Sequence, residues 1–532
     1  MTQTAHTPRY GMVVDVNRCV GCQTCTISCK HANDTAPGIQ WRSVLDVEQG
    51  SYPDVSRFFL VVGCQHCAEP PCVPVCPTGA TFQRDDGLVV MDYDTCIGCA
   101  YCAVACPYQA RTIAHEADFY YGRPTVQEQH AAHPERLGVA QKCTFCIDRI
   151  DEAKDRGLTP GVDSEVTPAC SASCIAQAIT FGDFNDADSK VSQLARGHTF
   201  QINDFLKTDP QIRYLYDVPG SIDGLEDTAA HADAPAPGTD PLAGRLQTFW
   251  DMRAAMNFIL GGLGSGFLLV ACAVMLGGLV TPMAAKALLV AGAAIISLGL
   301  FFVFLKIGRK SRFLNAIRRP QTSWMSREIY VVAVMFPLIG LALLIGVSML
   351  LAALIGVAAA AFLYCQARIL HAAKGIPAWR AKPMPPLLVA TGLAEGAGLY
   401  LAVAEALPGI NPAGWVAGIG AAASAVALGA WMWLVAGARA HRIPPAARMC
   451  LIEASRLYVP AMAAGIVLLA LVPPMGGIVV VLAGAAMKAW LITRAAYQQG
   501  FVLPAMPKRG SGRRASPPRL TGFRAGKPAG AA

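Results

Sequence analysis

Apolar positions are distributed unevenly along this 532-residue chain, and long apolar runs begin only near residue 254. Eight runs beyond that point are long enough to cross a hydrocarbon core about 30 Å thick. They span 254–280, 284–305, 329–347, 350–367, 385–407, 413–436, 457–472 and 476–493. Several are rich in Gly and Ala, as close-packed membrane helices are. This pattern predicts an all-α, eight-helix transmembrane domain over 251–500. Ahead of it, PGSIDGLEDTAAHADAPAPGTDPLAG from Pro219 to Gly244 carries no apolar period and is rich in Pro, Gly, Ala and Asp, so 219–250 is expected to be a linker. A first domain then occupies 1–218. The end of the chain, 501–532, has basic residues, no acids and much Gly and Pro, and is expected to be disordered.

Charge follows the same division. Through residue 251 there are 18 Lys/Arg against 32 Asp/Glu, and beyond it 26 against 4. An acidic head therefore precedes a basic membrane base. The basic excess lies in short connections between apolar runs, where cytoplasmic retention and anionic lipid account for it, so nucleic acid is not an expected partner. Basic residues gather in Lys306–Arg327, in Arg368–Lys382, around Arg439–Arg456 and at Arg513 and Arg514, whereas the opposite turns hold only Lys286. The positive-inside rule then sets these loops, the C-terminus and, with an even number of spans, the whole head on the cytoplasmic side of the inner membrane. The N-terminus MTQTAHTPRYGMVVDV offers no apolar signal segment and no twin-arginine pair, in agreement with that orientation.

The head's chemistry is in its cysteines. Of 19, 16 lie before residue 175. Cys19, Cys22, Cys25 and Cys29 follow C-x2-C-x2-C-x3-C, and Cys96, Cys99, Cys102 and Cys106 repeat it. Cys64, Cys67, Cys72 and Cys76 widen one gap, and Cys143 and Cys146 are completed at a distance by Cys170 and Cys174. Three cysteines in one tight turn cap three irons of a cubane while the fourth reaches a neighbouring cluster, so the blocks are expected to work in pairs. Pro77 and Pro107 supply the C-P ending of the bacterial ferredoxin run; Lys30 and Ile175 stand there in the other two blocks. Structural zinc prefers separated C-x2-C knuckles, which suits the fourth block alone, whereas four cysteines within eleven residues, twice, point to iron–sulfur chemistry. Cys272, Cys365 and Cys450 are scattered singly and read as apolar packing.

CVGCQTCTISCKHAND, CQHCAEPPCVPVCPTGA, CIGCAYCAVACPYQAR and KCTFCIDRI with PACSASC resemble the four-cluster subunit of the dimethyl sulfoxide reductase superfamily over roughly residues 10–200. The resemblance implies an α+β ferredoxin-like head with two paired dicluster modules. It implies that Cys19, Cys22, Cys25 and Cys174 hold one cluster and that Cys143, Cys146, Cys170 and Cys29 hold its neighbour. Cys64, Cys67, Cys72 and Cys106 would hold a third, and Cys96, Cys99, Cys102 and Cys76 the fourth. No ligand is replaced, so four [4Fe-4S] clusters are expected.

In the membrane half, LKIGRKSRFLNAIRRPQTSWMSREI resembles the anchor subunit of the same superfamily, where a His-Leu-Gly-Arg element precedes Ser-Trp-x-Ser-Arg-Glu. Arg309 and Glu328 match, while Lys306 stands at the family histidine; an ammonium there still donates to a quinone carbonyl. Lys306, Arg309 and Glu328 are therefore the expected quinone-binding residues. Glu395, inside the fifth apolar run, is an expensive carboxylate to bury in a membrane and is a candidate proton relay. Only His371 and His441 fall in this half, both in connections, which argues against haem ligated by paired histidines.

A row of clusters ending at a haem-free membrane domain implies exchange of electrons with quinone. The chain carries no nucleotide loop, no catalytic triad and no molybdenum-binding domain, so the resemblance implies a separate molybdopterin subunit docked on the head, acting on a sulfur compound by sulfoxide reduction or sulfite oxidation. Two readings of another class are an iron–sulfur redox sensor, which needs only one exposed cluster, and an ion-translocating module, which needs several aligned intramembrane charges.

Overall fold

A computed structural model of the chain describes residues 6–51, 54–197, 199–216, 240–406, 408–410, 414–504 and 506–507. Most of the expected linker, 219–250, and of the expected tail, 501–532, with Arg513 and Arg514, lies outside them.

The head is built around β1 (Tyr10–Asp15). It continues through α1 (Thr24–Ala32), the hairpin β2 (Arg42–Ser51) and β3 (Asp54–Gly63), α2 (Tyr101–Ala105), α3 (Ile147–Arg156), β4 (Ile179–Asp183), β5 (Thr199–Phe200) and β6 (Ile212–Leu215). The main sheet has the order β4-β1-β6-β5, with β1 antiparallel to β4 and parallel to β6. The apolar run YGMVVD suits a strand covered on both faces. Met12 and Val14 pack with Phe58, Leu60, Phe181 and Tyr214. Val13 points the other way, onto Val191 and Leu215. The helices α1, α2 and α3 have nine, five and ten residues, shorter than the roughly 12–15 at which an isolated helix sustains itself. They depend on packing and on whatever their cysteines bind.

Eight helices are long and apolar enough to cross a membrane: α4 (Met252–Leu276), α5 (Pro282–Lys306), α6 (Trp324–Ile345), α7 (Met349–Ala372), α8 (Met384–Ala406), α9 (Gly414–Ala436), α10 (Pro445–Leu471) and α11 (Pro473–Thr493). They form successive antiparallel hairpins around α4 and α8, which touch one another and both α7 and α11. Backbone approach explains the small residues: a Cβ on Gly266 would lie 1.9 Å from the Gly392 carbonyl oxygen. The seventh helix begins twelve residues before the expected 457. The segment read as a basic connection is its amphipathic start, with Pro445 in the first turn and Ala447, Leu451, Ala454 and Tyr458 forming a buried stripe at helical spacing. Glu328 and Lys306 likewise lie within helices α6 and α5 rather than in the loop between them.

Head and bundle share one apolar core. All five residues of α2 are buried; Tyr101, Ala103, Val104 and Ala105 pack in the same cluster as Trp250, Phe258, Trp379 and Leu370, and Cys102 packs with Cys72, Cys76 and Cys96 in the head. The Tyr101 hydroxyl donates to the Ile369 carbonyl at 2.7 Å, and the Trp250 indole donates to the Cys99 carbonyl at 3.1 Å. In the loop after α5, the Arg309 N–H donates to the Ile97 carbonyl at 3.1 Å, and Ser323 donates to the Val75 carbonyl at 2.9 Å. This contact needs glycine at residue 308, because a Cβ there would sit 2.0 Å from the Gly138 carbonyl oxygen. Gly308→Val is therefore expected to cost about 1–3 kcal/mol, the range of overpacking. Hydrogen exchange around Ile97, Gly138 and Arg309 should rise while iron content stays unchanged; unchanged protection there would count against this role of the glycine.

Candidate functional site

The cysteine loops share a backbone device. In the first C-x-x-C of each block the residue before the second cysteine has positive φ: Gly21 (72°), His66 (42°), Gly98 (69°) and Phe145 (58°). Glycine adopts this conformation freely, whereas His and Phe do so against a steric cost of about 1–2 kcal/mol. The strained pair is braced, since the His66 and Phe145 rings stack at 3.8 Å between centroids. Val89 N–H donates to His66 Nδ1, which leaves Nε2–H to donate to the Cys143 carbonyl, each at 3.1 Å. Burial, with Lys142 close by, pushes the His66 pKa well below its ordinary value and keeps the ring neutral. Gln23 and Ala100, with φ of 62° and 64°, then start α1 and α2, which places Cys25 and Cys102 in first turns, where the helix dipole favours negative charge.

The sixteen cysteines gather in fours. Cys19, Cys22, Cys25 and Cys174 line one small cavity, and Cys76, Cys96, Cys99 and Cys102 line another. Asn33 Nδ2 lies 3.7 Å from Cys29 Sγ and 3.6 Å from Cys146 Sγ. Burial pushes the Cys29 thiol up, and Cys143, Cys170 and Cys146 beside it add to the effect. Burial likewise pushes up Cys67, whose neighbours are Cys64, Cys72 and Cys106. Among the described residues no three His, Cys, Asp or Glu side chains converge on a single-ion site; the quartets surround space.

The donor chemistry fits a thiolate-ligated cluster. Backbone N–H groups point at sulfur from Gly98 to Cys96 (3.4 Å), Thr81 to Cys76 (3.5 Å), Phe145 to Cys143 (3.4 Å) and Ala178 to Cys174 (3.2 Å). Such bonds stabilise thiolate and tune a bound cluster's potential. Cys22 is exposed, while Cys99 packs against the core that head and bundle share, so the row of quartets runs from the head's surface to its junction with the helices.

The residues picked out in the membrane half do not share one pocket. Lys306 and Arg309 line an open cavity of about 1,030 Å³ with His115 and Arg253. Arg309 also donates to the Leu137 and Pro134 carbonyls, at 2.8 and 2.5 Å, tying the bundle to the head. Glu328 is not among that cavity's lining residues. It is 4% exposed and lies near Gln366, whose amide donates to the Asn257 carbonyl at 3.0 Å. Glu328 Oε1, Asn257 Oδ1 and Arg368 Nε are buried without hydrogen-bond partners among the described residues. Glu395 meets Lys488 at 2.5 Å, both 1% exposed. Sequence reasoning passed over Gln366, Asn257 and Lys488; a polar side chain inside an apolar run was the available signal. His371, expected in a connection, lies instead in the last turn of α7, while His441 lies beyond α9.

Comparison with known proteins bears on the head. Residues 55–120 match the model of the 4Fe-4S dicluster domain family. The protein is similar to the putative iron-sulfur subunit of dimethyl sulfoxide reductase from Halobacterium salinarum, 39% identical over 225 residues, covering 39% of this sequence and 78% of the relative. It is 38% identical over 232 residues to a subunit of sulfite dehydrogenase from Allochromatium vinosum, covering 40% and 83% of the two sequences. With one of the chains of anaerobic dimethyl sulfoxide reductase from Escherichia coli the identity is 32% over 228 residues, covering 40% and 96%.

Proposed function

Because the protein belongs to the family of iron–sulfur subunits of the dimethyl sulfoxide reductase type, we propose that it carries four [4Fe-4S] clusters and passes electrons between membrane quinone and a separate molybdopterin catalytic subunit docked on its head. The observation that carries this reading is the junction, where Cys76, Cys96, Cys99 and Cys102 surround a cavity beside the buried helix α2 and the Trp250 indole, at the start of the bundle, donates to the Cys99 carbonyl. The bundle serves as the membrane anchor, with the head and C-terminus cytoplasmic.

Bound clusters would supply one-electron steps between a two-electron carrier and the catalytic partner. The chain's own residues would bind and orient that carrier. Lys306 offers an ammonium donor to a quinone oxygen, with Arg309 fixing the loop against the head. Glu328, buried outside the cavity that Lys306 and Arg309 line and with an unpartnered oxygen, would receive protons relayed from the quinol as it gives up its two electrons, or return them in the reverse direction. Quinone chemistry, clusters and proton donors then share one side of the membrane, so electron transfer would move little charge across it. The catalytic subunit sets direction and substrate, a sulfoxide reduced or sulfite oxidised.

The test is to purify the complex from native membranes through this protein, identify what accompanies it, and titrate it by EPR with and without a quinol analogue. A molybdenum-containing partner and four cubane signals, one responding to the analogue, are expected. In Glu328→Gln, quinol should reduce the clusters at least about 10²-fold more slowly, the scale of a lost general acid–base group, with all signals retained. A lone chain with zinc or fewer clusters would overturn the proposal and favour a sensor.

A further inference from the structure

Three fully buried cations in the head have no role in the function above. Arg42 is 1% exposed, Arg111 3% and Lys142 0%. A buried charge without an opposite charge is strongly unfavourable, yet among the described residues the head's one buried carboxylate, Asp86, is taken by Arg84 at 2.8 Å. Hydrogen bonding leaves both guanidiniums incompletely satisfied. Arg42 Nη2 lies 3.5 Å from Met12 Sδ and 3.9 Å from Cys143 Sγ, while its Nε and Nη1 have no partner among the described residues. Arg111 Nη1 reaches Thr81 at 3.2 Å and Met91 Sδ at 2.9 Å, and its Nη2 is likewise unpartnered. Lys142 donates to the Val89 and Cys143 carbonyls, the latter at 2.8 Å.

The opposite charge available to each cation is cysteine sulfur, drawn in each case from two quartets. Arg42 faces Cys170, Cys143 and Cys29, and its field also bears on Cys25 of the outermost set. Lys142 adjoins Cys64 and Cys72 on one side and Cys143 on the other. Arg111 adjoins Cys72, Cys64 and Cys106, and also Cys102; Thr81 and Met91, which it touches, line the innermost cavity. Along the row from exposed Cys22 to the bundle, one cation stands at each of the successive gaps.

Resting on the cluster assignment above, we propose that Arg42, Lys142 and Arg111 are the counter-charges of the electron path, one between each pair of neighbouring cluster sites. A thiolate-ligated cluster is anionic and gains charge on reduction, so a fixed cation in a low-dielectric gap favours the reduced form of both neighbours. Each cation lowers the cost of an electron occupying either side of its gap, and so levels the path. These are positioning residues that act through potential and take no part in bond making.

The test is a redox titration of each cluster by EPR in the intact complex. Arg111→Met should make reduction of the two inner clusters at least about tenfold less favourable, a fall of about 59 mV for a one-electron couple, and leave the two outer ones in place. Arg42→Met should do the reverse. The lysine variants Arg111→Lys and Arg42→Lys keep the charge and should restore the potentials. Unshifted potentials in both methionine variants, with four clusters retained, overturn the inference, as do lysine variants that shift as far as the methionine ones. Should Arg111→Met fail to load its clusters, the Arg42 pair carries the same comparison. Fewer than four cubane signals in the unaltered protein overturn the functional reading itself, a result distinct from unshifted potentials.

Discussion

Removal of iron should unfold the head and leave the eight-helix bundle helical. Thirteen of the sixteen grouped cysteines are buried, and the segments that carry them are short helices and tight turns with little apolar surface of their own. Emptied, the quartets leave thiols facing one another across small gaps and expose Arg42, Arg111 and Lys142 to one another's charge without compensation. Structural metal sites contribute on the order of 10 kcal/mol to folding, comparable to the whole stability of a domain. Chelation under reducing conditions, followed by limited proteolysis and hydrogen exchange, should show loss of protection through residues 10–216 and persistence of α8 and α11. A head that stays protected after quantitative iron loss would show that its apolar core suffices.

The second large effect is expected in the bundle. Glu395→Leu should destabilise it by about 3–5 kcal/mol, because the Lys488 ammonium is left in an apolar interior without its partner. Little room exists for rearrangement: a Cβ on Gly262 would lie 2.5 Å from Lys488 Nζ, and one on Gly484 2.2 Å from Glu395 Oε1. Combining Glu395→Leu with Lys488→Met removes both charges, and most of the loss should be recovered, which a double-mutant cycle of unfolding in detergent would measure. Equal stability of the single variants and the wild type would refute the pairing. The double variant also tests the proton-relay reading of Glu395: normal quinol turnover without either charge assigns the pair to structure.

What the sequence made legible follows from how local each feature is. The cysteine blocks were readable because cubane ligation imposes spacings within a single turn, and the eight helices because the membrane's thickness sets a minimum apolar length. The start of α10 was missed because Arg448, Glu453 and Arg456 interrupt hydropathy while Ala447, Leu451 and Ala454 still provide a buried face. Lys306, Arg309 and Glu328 are close in sequence, but an intervening 3-10 segment and the turn into α6 separate the first two from the third. The Glu395–Lys488 pair joins residues 93 positions apart, and neither residue announces the other. The buried cations were hidden for the same reason: Lys142 beside Cys143 and Arg111 soon after Cys106 look like ordinary polar flanks until the chain closes around them.

The embedding of α2 bears on how the protein is made. Tyr101, Ala103, Val104 and Ala105 pack against Trp250, Leu370 and Trp379, and Cys102 lies buried behind them in the head. Once that seam has closed, a carrier delivering a preformed cluster would have to part an apolar contact continuous with the membrane interior. On the proposed assignment, loading of the innermost quartet would have to come before the head settles on the helices. Translation order favours this, since the cysteine segments leave the ribosome ahead of all eight long apolar helices. Cells short of iron during synthesis should then accumulate chains whose spans are inserted but whose head never seats.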